Sequence, residues 1–285
     1  MTFAGHRARK RFGQHWLMDP TVLDRIVAAA ALQGGDRVLE VGPGRGALTE
    51  RLLASPLTSL LAVELDRDLV AGLRLRFGAD QRFRLLEGDA LQLDLRDEGL
   101  QAPGIVVANI PYNITGPLLE RLVGRLDRPV QPPYRRLVLL VQQEVGERIR
   151  AEPGSSCYSA LSVRMQVLAR CQSVCAVPPR CFTPPPKVNS EVILLEPHGA
   201  EQLPSAALAR AMEQLLRRCF ASRRKMLRNT LAGLLPAAPL ADLAATAGVD
   251  LGQRPQELAP DQWLALAAGL NQSRCLALGE AENDG

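Results

Sequence analysis

Lysine is nearly absent from this 285-residue chain. It occurs only as Lys10, Lys187 and Lys225, so almost all of the 34 basic side chains are arginines. Arginine's planar fork suits phosphate contacts and stacking on bases. Coding bias alone also produces an arginine-rich, lysine-poor chain, so only the clustering of charge carries functional weight. A net charge of +4 is too small to mark a nucleic-acid binder by itself. Paired metal-ligand spacing is lacking too: Cys171 and Cys175 stand as C-x3-C with no pair of histidines following. The six cysteines are therefore read as reduced thiols, and no metal is expected. No uninterrupted apolar run is long enough to cross a bilayer, and no apolar signal core follows the basic residues 1–11. The expectation is a cytoplasmic protein, without a membrane partner, working as a monomer.

What is present is an alternation. Short β-rich runs at 37–41, 59–63, 83–87, 105–108 and 136–141 alternate with helical apolar spacing at 48–53, 69–77 and 117–126. Four of the five runs carry few charges, as strands buried on both faces do. The pattern predicts an α/β fold, an open doubly wound sheet. At 173–177 and 191–195 two further β-like runs flank a segment holding Pro178, Pro179, Pro184, Pro185 and Pro186, which predicts a rigid extended loop. Beyond Pro204 the pattern is helical, rich in Ala, Leu and Arg. The expected division is a sheet domain over 1–200 with a basic arm at 1–18, a smaller all-helical domain over 201–278, and a disordered tail at 279–285.

The run Val38-Leu-Glu-Val-Gly42-Pro-Gly44-Arg-Gly46-Ala47 sets a glycine-rich turn between a strand and a helix, where backbone N–H groups face a ligand. Gly42, Gly44 and Ala47 fit the dinucleotide pattern G-x-G-x-x-G/A. Gly42, Gly44 and Gly46 fit the G-x-G-x-G turn of S-adenosylmethionine enzymes. Glu64 follows about 20 residues on, placed for ribose hydroxyls in either case. The turn alone leaves both cofactors open.

The ends of the third and fourth runs decide between them. One ends in Glu87-Gly-Asp89, a carboxylate at a strand's edge placed for an adenine amine; the other ends in Asn109-Ile110-Pro111-Tyr112. An adenine N6 lone pair is delocalised into its ring, and positive charge builds on nitrogen as a methyl group arrives. Acceptors for its two N–H groups favour rehybridisation and aim the lone pair. The Asn109 amide oxygen supplies one acceptor. The Ile110 carbonyl supplies the other, in a peptide kept extended by Pro111. Tyr112 offers a ring for the base, worth roughly 1–3 kcal/mol. No strong general base is needed, so the lack of a catalytic His or Lys agrees with this chemistry.

With these motifs in this order, the chain resembles the RNA adenine dimethyltransferase family, and within it the bacterial enzymes acting on small-subunit (16S) ribosomal RNA. The likeness runs from Arg11 to about Leu270. Lys10-Arg-Phe-Gly-Gln-His15-Trp16-Leu17 is similar to the family's N-terminal arm, with His15 where the family usually has Asn and Trp16 where it has Phe. The resemblance implies that S-adenosylmethionine is the methyl donor, contacted by His15, Leu17, Gly42, Gly44, Glu64, Asp89 and Asn109. It implies that Phe182 covers the other face of the base from Tyr112, as an exposed ring held by the proline-stiffened loop. It also implies the activity: two methyl groups on each of two adjacent adenosines near the 3′ end of 16S ribosomal RNA, within a maturing 30S subunit. An unpaired hairpin loop makes extrusion of those bases cheap.

The densest positive cluster holds Arg217, Arg223, Arg224, Lys225 and Arg228. Read as one helix, it puts Arg217, Arg224 and Arg228 on one face with few carboxylates nearby, which predicts phosphate binding. A similar segment in relatives acting on the small subunit, but not in those acting on large-subunit RNA, favours the former. Four rivals stand beside this reading: a large-subunit RNA methyltransferase, a DNA adenine methyltransferase, an assembly factor without catalysis and, weakest, an oxidoreductase using the dinucleotide fold. The extra residue before Pro111 argues against the DNA enzyme.

Overall fold

The computed structural model describes residues 14–93 and 104–283, with side chains as far as residue 272. The chain opens with a short strand β1 (Trp16–Leu17) and helix α1 (Pro20–Ala30). Asp19 caps α1 by accepting from the N–H groups of Thr21 and Val22, as a helix start with proline in its first turn requires. The alternation then proceeds as β2 (Arg37–Val41), α2 (Ala47–Leu53), β3 (Ser59–Glu64), α3 (Arg67–Phe77), β4 (Phe83–Glu87), β5 (Ile105–Asn109) and α4 (Thr115–Val123). A minor two-stranded ribbon, β6 (Gly124–Arg125) with β7 (Arg128–Pro129), precedes β8 (Arg136–Gln142). After α5 (Gln143–Arg150) and α6 (Ala160–Leu168) come β9 (Ala169–Val177), β10 (Phe182–Thr183) and β11 (Ser190–Pro197).

Seven strands form one sheet in the order β4-β3-β2-β5-β8-β11-β9. β4, β3, β2, β5 and β8 run parallel to their neighbours, and β11 returns antiparallel to β8. Successive strands step outward from β2 in one direction through β3 and β4, then in the other through β5 and β8. Such a reversal opens a crevice beyond the carboxyl ends of the two central strands. β2, β3, β5 and β8 are buried along most of their length, whereas the edge strand β4 is only half-buried. That difference follows from position, since β4 stands at the sheet edge, and the whole is the Rossmann-like α/β arrangement expected.

The chain packs as two compact units. The first holds the described residues of Met1–Gly124, Pro132–Gly146 and Arg170–Pro197, and so carries the sheet. The second gathers Arg125–Gln131, Glu147–Ala169 and His198–Gly285. The last crossing between the units falls at 197/198, close to the expected 200/201, while the mid-chain segment with α6 packs with the helices. Those helices are α7 (Ala206–Phe220), α8 (Leu227–Thr230), α9 (Ala237–Thr246) and α10 (Pro260–Asn283). In their core Tyr158 donates its hydroxyl to the Leu258 carbonyl at 2.8 Å, and Phe220 packs on Trp263. α10 continues through 279–283, where a tail was expected. Among the described residues no helix is long and apolar enough to cross a membrane.

Candidate active site

The crevice at the reversal point holds a cavity of about 360 Å³. Its lining includes Gly42 and Gly44 after β2, Glu64 at the end of β3, Asp89 after β4, and Asn109 through Ile114 after β5, with Gln14, His15 and Trp16 from the start of the chain. Each of these strands ends at the same edge because they are parallel and in register, which is why residues dispersed over a hundred positions meet.

The glycine turn is built for close approach. Gly44 has φ +59°, and a Cβ there would stand 2.9 Å from Trp16 Cδ1. Gly46 has φ +79°, and its Cβ would stand 2.5 Å from the Phe77 ring. Only glycine satisfies both the left-handed backbone and that space. The Gly44 N–H donates to Glu64 Oε2 at 3.0 Å, and the Asp66 N–H to Glu64 Oε1 at 2.9 Å. Burial pushes the Glu64 carboxyl up, and these two backbone donors oppose the shift. Each carboxylate oxygen keeps a further lone pair for a hydroxyl. Asp89, half-buried, turns Oδ1 to the Leu91 N–H at 2.9 Å.

Beneath the turn lies a residue that the sequence reading missed. Glu40, in β2, is 1% exposed. Thr49 donates its hydroxyl to Oε2 at 2.7 Å, while Oε1 is buried with no partner. Burial pushes its carboxyl up to about 8, against the Thr49 bond. It borders a hollow of about 30 Å³ shared with Gly42, Gly44, Trp16, Leu17 and Asn109. The signal was legible: a carboxylate set among Val38, Leu39 and Val41 of a buried strand.

At the end of β5, Asn109 donates its amide Nδ2 to the backbone carbonyl of His15 at 3.0 Å. A carbonyl only accepts, so the amide has one orientation, and Oδ1 is the atom left for another donor. Ile110 is anchored by its N–H to the Leu140 carbonyl at 3.2 Å, and Pro111 leads into a single 3-10 turn, Tyr112–Ile114. The Tyr112 hydroxyl shares a 2.5 Å hydrogen bond with the buried Ser190 hydroxyl. Burial pushes the Tyr112 phenol up, so it stays neutral and serves as a ring, not a base. His15 stacks on that ring, with centroids 5.8 Å apart and planes at 24°.

Two of the expected site residues are buried in the hydrophobic core. Phe182, expected as an exposed ring, is 3% exposed and belongs to the core that includes Val22, Ile26, Val177 and Val192. It does not line the cavity. The ladder β1–β10 pairs Leu17 with Phe182 and Trp16 with Thr183; the alternation of strand side chains sends the Leu17–Phe182 pair inward, where burying a phenyl ring is worth ~1.5–3 kcal/mol. Leu17, expected at the cofactor, is likewise a core residue at 5% exposure, and it borders the small hollow beside Glu40 and Gly44. Its neighbour Trp16 lines the cavity instead, with the Arg45 guanidinium 3.9 Å over its ring. The rest of the arm, residues 1–13 with Lys10 and Arg11, lies outside the described residues.

The basic cluster also differs from expectation, within the second unit. α7 ends at Phe220 and a turn precedes α8, so Arg217, Arg224 and Arg228 do not share one helix. Nor is the cluster free of carboxylates. Glu213 takes Arg217 at 2.9 Å and Arg164 at 2.7 Å; burial works against its charge, but the two guanidinium groups hold it below the usual carboxylate range. Arg223 donates to the carbonyls of Ser156 and Tyr158, a structural role. Arg224, Lys225 and Arg228 are exposed.

Comparison with known proteins agrees with this geometry. The ribosomal RNA adenine dimethylase family model matches residues 5–272. A protein of Parasynechococcus marenigrum named ribosomal RNA small subunit methyltransferase A is 67% identical over all of this chain and 94% of its own length. A Synechococcus protein of the same name is 67% identical over 95% of this chain and 98% of its own. Among solved structures, a dimethyladenosine transferase from Plasmodium falciparum superposes with a TM-score of 0.74 at 27% identity, covering 90% of this chain and 98% of that one. The 23S rRNA methyltransferase ErmE gives the same TM-score and identity over 90% of this chain and all of its own. The match over nearly the whole chain, with the glycine turn and the Asn109–Tyr112 segment at one sheet edge, places this protein in the ribosomal RNA adenine dimethylase family.

Proposed function

We propose that this protein transfers methyl groups from S-adenosylmethionine to N6 of two adjacent adenosines in a hairpin loop near the 3′ end of 16S ribosomal RNA, dimethylating each within the maturing 30S subunit. The observation that carries the chemistry is the fixed amide of Asn109, whose nitrogen is spent on the His15 carbonyl beside the Tyr112 ring. The 67% identity to proteins named for the small subunit supports the choice of subunit, because the solved structures at 27% identity include one named for 23S rRNA.

The cavity fits the donor. Glu40 Oε1, buried without a partner under the glycine turn, suits the ammonium group of its amino-acid end. Glu64 is placed for ribose hydroxyls, Asp89 for the adenine amine, and Trp16 and Gly44 wall the turn between them. When bound, S-adenosylmethionine supplies an electrophilic methyl group. The chain's own part is to hold the acceptor nitrogen. Asn109 Oδ1 and the Ile110 carbonyl accept its two protons' hydrogen bonds, which localises the lone pair as charge develops. Tyr112, pinned by Ser190, orients the purine plane. The lost proton needs only water, since the methylated amine is strongly acidic while cationic.

Arg224, Lys225 and Arg228 are the phosphate contacts we favour in the helical unit, with Arg217 contributing only where its pairing to Glu213 yields. The expected setting is the cytoplasm, as a monomer on the immature subunit. The test is mass spectrometry of ribosomal RNA from cells lacking this gene, complemented with the wild-type protein or Asn109→Ala. The wild type restores N6,N6-dimethyladenosine to small-subunit RNA and the variant does not. Restoration by Asn109→Ala, or a deficit in large-subunit RNA instead, overturns the reading.

A further inference from the structure

Between Asn109 and Thr115, every side-chain donor is spent within the fold except one. Asn109 Nδ2 donates to the His15 carbonyl, and the Tyr112 hydroxyl is bonded to that of Ser190. The Thr115 hydroxyl donates to the Tyr112 carbonyl at 3.3 Å, and the Ile114 N–H closes the turn on the Pro111 carbonyl at 3.0 Å. Asn113 sits in that turn, next to the Tyr112 ring. It is exposed and lines the same cavity as Asn109 and Ile110. Among the described residues its carboxamide has no hydrogen-bond partner. Both of its ends are available to a ligand.

Two acceptors, Asn109 Oδ1 and the Ile110 carbonyl, select for an amine. They repel the carbonyl that guanine or uracil presents at that position, but the amine of cytosine satisfies them as well as that of adenine does. Adenine differs in the atom beyond its amine: ring N7, an acceptor, where cytosine carries only a C–H. Reading N7 takes a donor, and the Asn109 nitrogen is held by the His15 carbonyl. We infer that Asn113 is the base-specificity residue of this site, its Nδ2 donating to N7 of the adenine whose amine Asn109 holds. The role rests on the adenine-N6 reading above. It divides the work between two amides: Asn109 aims the reacting nitrogen, and Asn113 checks that the ring behind it is a purine. Asn113 touches no reacting atom, so it acts on which base is accepted and how it is seated.

The test crosses one side chain of the full-length protein with one atom of the RNA. Small subunits are reconstituted with 16S RNA carrying adenosine, or 7-deazaadenosine with C–H in place of N7, at the target positions. Methyl transfer by wild type and Asn113→Ala gives kcat/KM on each, and calorimetry gives the affinity for S-adenosylmethionine. The wild type should lose about 3–10-fold on the 7-deaza RNA, the range for one hydrogen bond. Asn113→Ala should lose a similar factor on adenosine RNA and nothing further on 7-deaza RNA, as two ends of one contact do. Asn113→Asp, which keeps the shape but as a carboxylate cannot donate, should fall with the alanine variant. Donor affinity should be unchanged in all three proteins. Losses that multiply, a wild type indifferent to 7-deaza RNA, or a loss explained by donor affinity overturns the role of Asn113, as does coupling to 1-deazaadenosine in its place. If the wild type puts no methyl group on N6 of the adenosine RNA, the underlying reading fails; if it does and the losses multiply, only the role of Asn113 fails.

Discussion

Single side chains in this protein do work that depends on which atom is already engaged. Asn109 is the clearest case, because one hydrogen bond to the His15 carbonyl converts a symmetric-looking amide into a one-way acceptor. Replacing it with alanine should lower kcat by about 10²–10³-fold, the range for loss of a preorganised polar group in an active site, with a smaller change in donor affinity. Tyr112→Phe retains the ring but frees Ser190, and its kcat/KM should fall only about 2–10-fold, the worth of one neutral hydrogen bond. Glu40 offers a pH test. Its folded carboxyl sits near 8 against an ordinary 4.5, so the native state keeps a proton that the unfolded chain releases. Stability contributed at this site is fully present below about 4.5 and is lost as pH rises toward 8. Thermal melts of Glu40→Gln and wild type without donor should therefore diverge between pH 5 and 8, with the variant gaining. A difference in Tm that does not move with pH would contradict the buried, unpaired state of Oε1.

At the scale of elements, the turn between β2 and α2 decides whether a cofactor can approach. Gly46 caps α2 with a positive φ, and the space its Cβ would need is taken by Phe77 of α3. Gly46→Ala should destabilise the fold by roughly 1–3 kcal/mol, the cost of a non-glycine residue held in that region, visible as a lower midpoint in urea. The short β1 does a different job. Its alternation sends Trp16 over the glycine turn and Leu17 into the core, while His15 ahead of it faces Tyr112. Three consecutive residues thereby face the glycine turn, the core and the Tyr112 ring.

For the whole molecule the question is how RNA is held. Net charge is only +4, so affinity has to come from local clusters. Arg224, Lys225 and Arg228 are exposed members of the densest one, whereas Arg217 pairs with Glu213 and Arg223 is spent on backbone carbonyls. Replacing the three with alanine should weaken binding to small subunits and flatten the dependence of log K on log salt by about 2–3, near one counterion for each contact removed. Donor affinity should be unchanged. A salt slope identical to wild type would assign phosphate binding to other residues.

The sequence by itself determined the sheet. Runs of apolar, β-branched residues cannot be solvated, and their alternation with helical periods leaves a doubly wound fold as the solution. All five predicted strands formed within a residue of their expected ends, and Gly42, Gly44, Glu64, Asp89 and Asn109 met because parallel strands end together. Only the tertiary structure decided what depends on contacts between distant residues. Phe182 went inward because its partner across the ladder is a core leucine, and Arg223 was claimed by carbonyls 65 and 67 positions away. α6 joined the helices, and the His15 ring stacked on that of Tyr112. Periodicity reports which face of an element is apolar; it carries no record of which neighbour that face, or a charged side chain, will find.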